Sequence, residues 1–113
     1  MTNITIRKAE GRWVVRSGGA VLGETADALE LIEGDRAPVI YFPRGDIATA
    51  FLDKSTKTTD CPHKGTATYY SIVNLSSVTE DAVWSYEDPK EAVAEIKDYL
   101  AFVPQASIKV EQV

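Results

Sequence analysis

Short runs of alternating apolar and polar residues, each stopped by a glycine-containing turn, commit the first half of this chain to β-structure. Ile4 and Ile6 alternate with Thr5 and Arg7, Glu10-Gly11 interrupts, and Trp13-Val14-Val15 resumes the apolar pattern. That order predicts a hairpin. Gly18-Gly19 supplies a second turn into Ala20-Val21-Leu22, and Gly34-Asp35 breaks the chain before Val39-Ile40-Tyr41-Phe42, a strand stopped by Pro43. Between them, Leu29, Leu31 and Ile32 fit a short helix and a strand equally well.

The second half continues the theme. Asp46 stands where it could cap a helical turn through Leu52, with Ile47, Ala50 and Phe51 on one side. Thr66 to Val73 and Ala82 to Tyr86 read as strands separated by a polar turn at Asn74 to Ser77. One helix is expected after Asp88. That residue suits an N-cap, Pro89 the first helical position and Glu91 the third. Ala92, Val93, Ile96 and Leu100 form its apolar stripe, Lys90, Glu91, Glu95 and Lys97 its outer face, and Pro104 its limit. Ile108 and Val110 alternate with Lys109 and Glu111 in a closing strand. The sum is a mainly β domain, or α+β with little α, in antiparallel sheets with one helix in the C-terminal half. With 113 residues, 44% of them hydrophobic, and no repeat or linker, residues 1–113 are expected to form a single domain with an adequate core.

Several functions are excluded or disfavoured. A lone cysteine rules out an intrachain disulfide, and one cysteine plus one histidine cannot furnish a four-ligand zinc site. Neither a metal nor a cofactor is expected. The net charge is −5, and the basic residues are scattered, which disfavours nucleic acid. No apolar run approaches the roughly 18 residues of a membrane span, and the N-terminus has no apolar signal core. The cytoplasm is the default expectation.

Chemistry concentrates between Thr58 and Tyr70, where Cys61, His63, Lys64 and Gly65 fall within five residues. Cys61 could be a nucleophile whose thiolate is favoured by neighbouring cations, or a small buried residue beside Pro62. A dithiol mechanism within one chain is excluded, whereas a sulfenate resolved by an external thiol is not. Lys64-Gly65-Thr66 resembles the end of a phosphate loop, but Thr59 stands where the upstream glycine is required and a strand follows instead of a helix. Lys64 could still hold an anion as a point charge, with Gly65 allowing close backbone approach. Arg44 could grip a carboxylate or phosphate, or pair structurally with Asp46 or Asp60. Tyr69 and Tyr70 must point to opposite faces of their strand, while Trp84 and Tyr86 share one. His63 could act as a base, or as a metal ligand with Asp60, though nothing nearby completes a ligand set.

The segments Val-Ile-Tyr-Phe-Pro-Arg at 39–44, Thr-Thr-Asp-Cys-Pro-His-Lys-Gly-Thr-Ala-Thr-Tyr-Tyr at 58–70, Ala-Val-Trp-Ser-Tyr-Glu-Asp-Pro at 82–89 and Ala-Phe-Val-Pro at 101–104 resemble, in that order, the bacterial family known as domain of unknown function 427. The resemblance implies a Mss4-like, β-tent arrangement of antiparallel sheets flanking a cleft. Relatives of that arrangement bind zinc or reduce methionine sulfoxide, but this chain lacks their paired Cys-x-x-Cys ligands. The family also carries a nucleotidyltransferase-like label that no motif here supports. Its members place Tyr, Trp or His after Cys-Pro, so His63 is replaceable. The expectation is a small-molecule pocket, suited to an anion, edged by Arg44, Cys61, Lys64 and Gly65 with an aromatic wall from Tyr70, Trp84 and Tyr86. The alternative is a non-catalytic interaction module in which these residues lock the fold.

Overall fold

Among the residues described by the computed structural model, 3–74 and 76–113, ten strands form three antiparallel sheets. In chain order the strands are β1 (Ile4–Lys8), β2 (Trp13–Ser17), β3 (Ala20–Thr25), β4 (Leu29–Glu33) and β5 (Val39–Tyr41), then β6 (Leu52–Cys61), β7 (Gly65–Val73), β8 (Val78–Ser85), β9 (Ala101–Phe102) and β10 (Ile108–Gln112). The sheets run β1-β4-β5, β10-β2-β3 and β6-β7-β8-β9. A mainly β fold with little helix is therefore correct, and no described helix is long and apolar enough to cross a membrane.

Local expectations were corrected in three places. The first turn does not make a hairpin: β1 pairs with β4, Ile4 opposite Glu33, while β2 pairs with β3 and β10. Ala9 explains the departure. It is buried and its N–H donates to the Ala28 carbonyl at 2.9 Å, so the chain is tied to the start of β4 before Gly11 redirects it. The residues after Asp46 form no capped helical turn through Leu52. Two separate 3-10 turns, Arg44–Asp46 and Thr49–Phe51, flank Ile47, and Asp46 accepts a bond from the Thr25 hydroxyl at 2.8 Å instead.

The expected late helix is reduced to a short 3-10 helix. Glu91–Ile96 is a 3-10 segment kinked at Val93, its N-cap is Lys90, and no side chain caps it. Tertiary anchors account for this. The Lys90 N–H donates to the Lys64 carbonyl at 3.0 Å, the Asp98 N–H to the Tyr86 carbonyl at 3.1 Å, and Leu100 exchanges backbone bonds with Phe42. The segment is pinned at both ends over too short a span for a stable α-helix. Spacing of i, i+3 still buries Val93 and Ile96. The strand β6 had no counterpart among the expected strands, because the eight residues between Leu52 and Cys61 are all polar and mostly exposed.

Two cores meet along one strip. Val15, Leu22, Phe42, Ile72, Val83 and Phe102 belong to the first; Leu31, Tyr41, Ala67, Tyr86, Val93, Ile96 and Ala101 to the second. Gly23 docks the Arg44–Asp46 turn onto β3, bridging to Ile47. A methyl group there would sit 2.4 Å from the Asp46 carbonyl oxygen and 2.6 Å from Ile47 Cδ1. Gly23→Ala should therefore destabilise the protein by about 1–3 kcal/mol in urea unfolding. Gly45→Ala, with nothing within 4 Å of its new methyl, should change stability by less than about 0.5 kcal/mol. Equal effects at the two positions would mean that the turn is not held by this contact.

Candidate functional site

The Cys-Pro-His-Lys-Gly segment is the tip of the β6–β7 hairpin. Cys61 pairs with Gly65 across a three-residue loop, and the Lys64 N–H donates to the Cys61 carbonyl at 3.3 Å. Gly65 closes the loop at φ +110°, a region side-chain-bearing residues rarely adopt. A Cβ on Gly65 would come into van der Waals contact with the Asp88 carbonyl oxygen at 3.4 Å. The turn thus allows the Asp88–Lys90 backbone to pack against the hairpin and aims Lys64 inward.

Lys64 is buried at 8% exposure, and its ammonium donates to the Glu33 carboxylate at 2.5 Å. Glu33 ends β4, and its carboxyl is held below the ordinary value of 4.5, first by the hydrogen bond from Lys64 against the opposing effect of burial. Arg36 adds a second cation, 3.7 Å from the same oxygen but largely in solvent. These three groups line one side of a cavity of about 230 Å³. Tyr41, Tyr69, Trp84 and Tyr86 give it an aromatic wall, completed by aliphatic side chains that include Val39. The Trp84 indole N–H donates to Tyr41 Oη at 3.2 Å, with the two rings edge to face. Burial raises the Tyr41 pKa to about 12 and pushes that of Tyr86 up as well. Both hydroxyls therefore remain protonated at neutral pH and can donate.

The other expected members are not all here. Cys61 is half-buried and lies near enough to Tyr41 and Tyr86 that a thiolate would disfavour their ionisation. His63 is exposed beside Asn3, Ile4 and Ala92. Among the described residues, no group of three His, Cys, Asp or Glu side chains is arranged to hold a metal.

Arg44 and Tyr70 face away, so the single cleft expected to join Arg44 with Lys64 does not form. Tyr69 pairs with Trp84 and Tyr70 with Val83 across β7 and β8, and alternation sends Tyr69 and Tyr70 to opposite sides of the sheet. On the far side the Arg44 guanidinium donates to the Asp98 carbonyl, Ser85 Oγ and Glu87 Oε2, each at 3.1 Å, and to Tyr70 Oη at 3.4 Å. Tyr70 itself donates to Glu87, and burial followed by that bond raises its pKa. Every guanidinium nitrogen is engaged. Arg44 is a structural latch, although its partner is Glu87 and not the expected Asp46 or Asp60.

Glu33, Arg36, Tyr41 and Tyr69 had not been singled out as pocket residues. A signal for Glu33 was available: with Leu29, Leu31 and Glu33 in phase on a strand, a carboxylate falls on an apolar face and requires a cation. Ambiguity between helix and strand in that segment hid the phase.

The family model described as Domain of unknown function (DUF427) matches residues 5–113. No curated protein sequence matches the chain significantly.

Two outcomes test this geometry. Removing one member of the buried pair leaves the other uncompensated, so Glu33→Gln should cost about 3 kcal/mol near neutral pH. Because the folded-state pKa of Glu33 is depressed, its stabilisation is complete above about pH 4.5 and is lost as pH falls through the lowered folded value. The gap between wild type and Glu33→Gln in urea unfolding should accordingly narrow below pH 4.5; a gap constant from pH 7 to 3 would contradict the pairing. Arg44→Met should lower stability by about 1–2 kcal/mol through lost charge-assisted bonds, moderated by partial solvent exposure.

Proposed function

The chain belongs to the DUF427 family, and from that premise we propose that it is a binding domain for a small anionic molecule. The ligand sits in the cavity behind the Cys-Pro-His-Lys-Gly hairpin. The observation that carries this proposal is a buried lysine lining an open cavity. Lys64 and Arg36 outnumber Glu33 there by two cations to one carboxylate, a local positive site in a chain of net charge −5. Protonated Tyr86 and the Trp84 ring supply a donor and an aromatic wall beside it. Few convergent polar groups on an aromatic-lined cleft is the usual make-up of a ligand site. Of the residues nominated from sequence, Lys64, Gly65, Trp84 and Tyr86 belong to this proposal, with Cys61 at its edge as the group that would add covalent chemistry. The setting is cytoplasmic, in keeping with a lone thiol that needs no oxidising compartment.

A non-catalytic module whose residues lock the fold is the second reading. It draws support from the far face, where Arg44 is held by Tyr70, Ser85, Glu87 and Asp98. Two marks expected of such a module are missing at the hairpin. Cys61 is half-buried and not sealed in, and Lys64 bonds to a carboxylate at a cavity wall and not to backbone carbonyls.

Titration of Trp84-sensitive fluorescence with inorganic phosphate, benzoate and short carboxylates separates the two. Saturable binding is expected, weakened about threefold to tenfold by Arg36→Ala, whose exposed side chain should not be needed for folding. Arg44→Met, on the opposite face, should leave affinity unchanged. Cys61→Ser should retain binding. Absence of saturation with every anion, or equal losses for the two arginine variants, would favour the structural module.

A further inference from the structure

A second cavity, of about 560 Å³, lies where the three sheets converge, and Val39 and Trp84 line both it and the Lys64 cavity. The two spaces are therefore neighbours, with these two side chains at the boundary between them. The second space by itself falls in the usual volume range of a ligand site, about 300–1,000 Å³, whereas the Lys64 cavity is smaller.

Their chemistry is opposite. The second space is walled by Trp13, Ile40, Phe102, Ile108 and Val110, with Pro104 at its lip. Both indole N–H groups are already used: Trp13 donates to the Glu10 carbonyl at 2.9 Å and Trp84 to Tyr41 Oη at 3.2 Å. The two indole rings thus bring no free donor to the groove. The polar residues at its rim are engaged as well. Glu30 accepts from Arg7 at 2.7 Å, and the Gln105 amide donates to the Val103 carbonyl at 3.3 Å. A ligand lying here would find little to hydrogen-bond with. At the other end, Lys64 and Arg36 present the excess of positive charge.

Building on the anion-binding proposal above, we infer that the ligand is an amphiphile. Its anionic head, of carboxylate or phosphate size, meets Lys64 and Arg36, and its apolar tail crosses the Val39–Trp84 boundary to lie between Trp13, Phe102 and Val110. Charge complementarity at one end and a mainly apolar groove at the other select this class over a compact, uniformly polar anion.

The test is a chain-length series. Straight-chain alkyl carboxylates from butyrate to dodecanoate, and alkyl phosphates of the same lengths, are titrated below their micelle-forming concentrations by calorimetry and tryptophan fluorescence. Affinity should rise about threefold to fourfold per added methylene until the tail fills the groove, then level off. Alkyl alcohols of equal length should bind at least tenfold more weakly, and the tighter of the two acid series identifies the head. Arg36→Ala should weaken all lengths by one common factor. Pro104→Asp, at the exposed lip, should weaken only the long chains; if that variant fails to fold, the wild-type slope decides. Short anions that bind with no dependence on chain length would overturn the amphiphile while leaving the anion site standing. Failure of every acid to bind would overturn both. A dimer that forms with rising protein concentration and is dissociated by Pro104→Asp, without acid binding, would assign the groove to a second copy and overturn the inference.

Discussion

Tyr41 and Phe42 are neighbours in the chain and belong to different cores. The same division recurs at Val83 and Trp84 and at Ala101 and Phe102, because successive residues of an extended chain project to opposite sides. These three dipeptides line up in one strip. Val83 lies opposite Phe102, and Trp84 opposite Ala101, while Phe42 exchanges backbone hydrogen bonds with Leu100 at 2.8 and 2.9 Å. The strip joins the sheet of β1, β4 and β5 to that of β6 to β9 and serves as a wall with an apolar side chain on each face. Polar residues elsewhere are sorted by the face they reach. Tyr69, Trp84 and Tyr86 meet Lys64 on one side; Tyr70, Ser85 and Glu87 meet Arg44 on the other.

On each side of that wall a cation connects parts of the chain far apart in sequence. Lys64 and Glu33 lie 31 positions apart, and their pairing ties the β6–β7 hairpin to the end of β4. A buried ion pair contributes little net stability against an apolar substitute, but breaking it is costly. Its effect is therefore on which arrangement forms, and it leaves a charged group at a cavity where an apolar pair would leave none. Arg44 differs. Its guanidinium has a partner for every nitrogen, and it holds the Arg44–Asp46 turn against the end of β8.

Strand identity was legible wherever apolar residues alternated, as in β1, β2 and the closing β10, and the β-rich class followed. Pairing was less legible. Ile4 and Ile6 show that β1 is a strand without showing that β4 is its neighbour. β6 was invisible because it is held by its ladder with β7 and not by an apolar face. The late helix had a plausible cap, a proline and an apolar stripe, yet contacts from Lys64, Tyr86 and Phe42 outweighed the weak local preference.

The site divides along the same line. Sequence alone determined that Cys61, Lys64 and Gly65 occupy one tight loop before a strand, that Tyr69 and Tyr70 part company, and that Trp84 and Tyr86 stay together. Each depends only on neighbouring residues and the two-residue period of a strand. Tertiary structure decided that Lys64 meets Glu33, that Arg44 stands behind the sheet, and that two cavities of opposite chemistry share Val39 and Trp84. Those outcomes depend on which strands pair and in what register, and non-local backbone hydrogen bonds set that register.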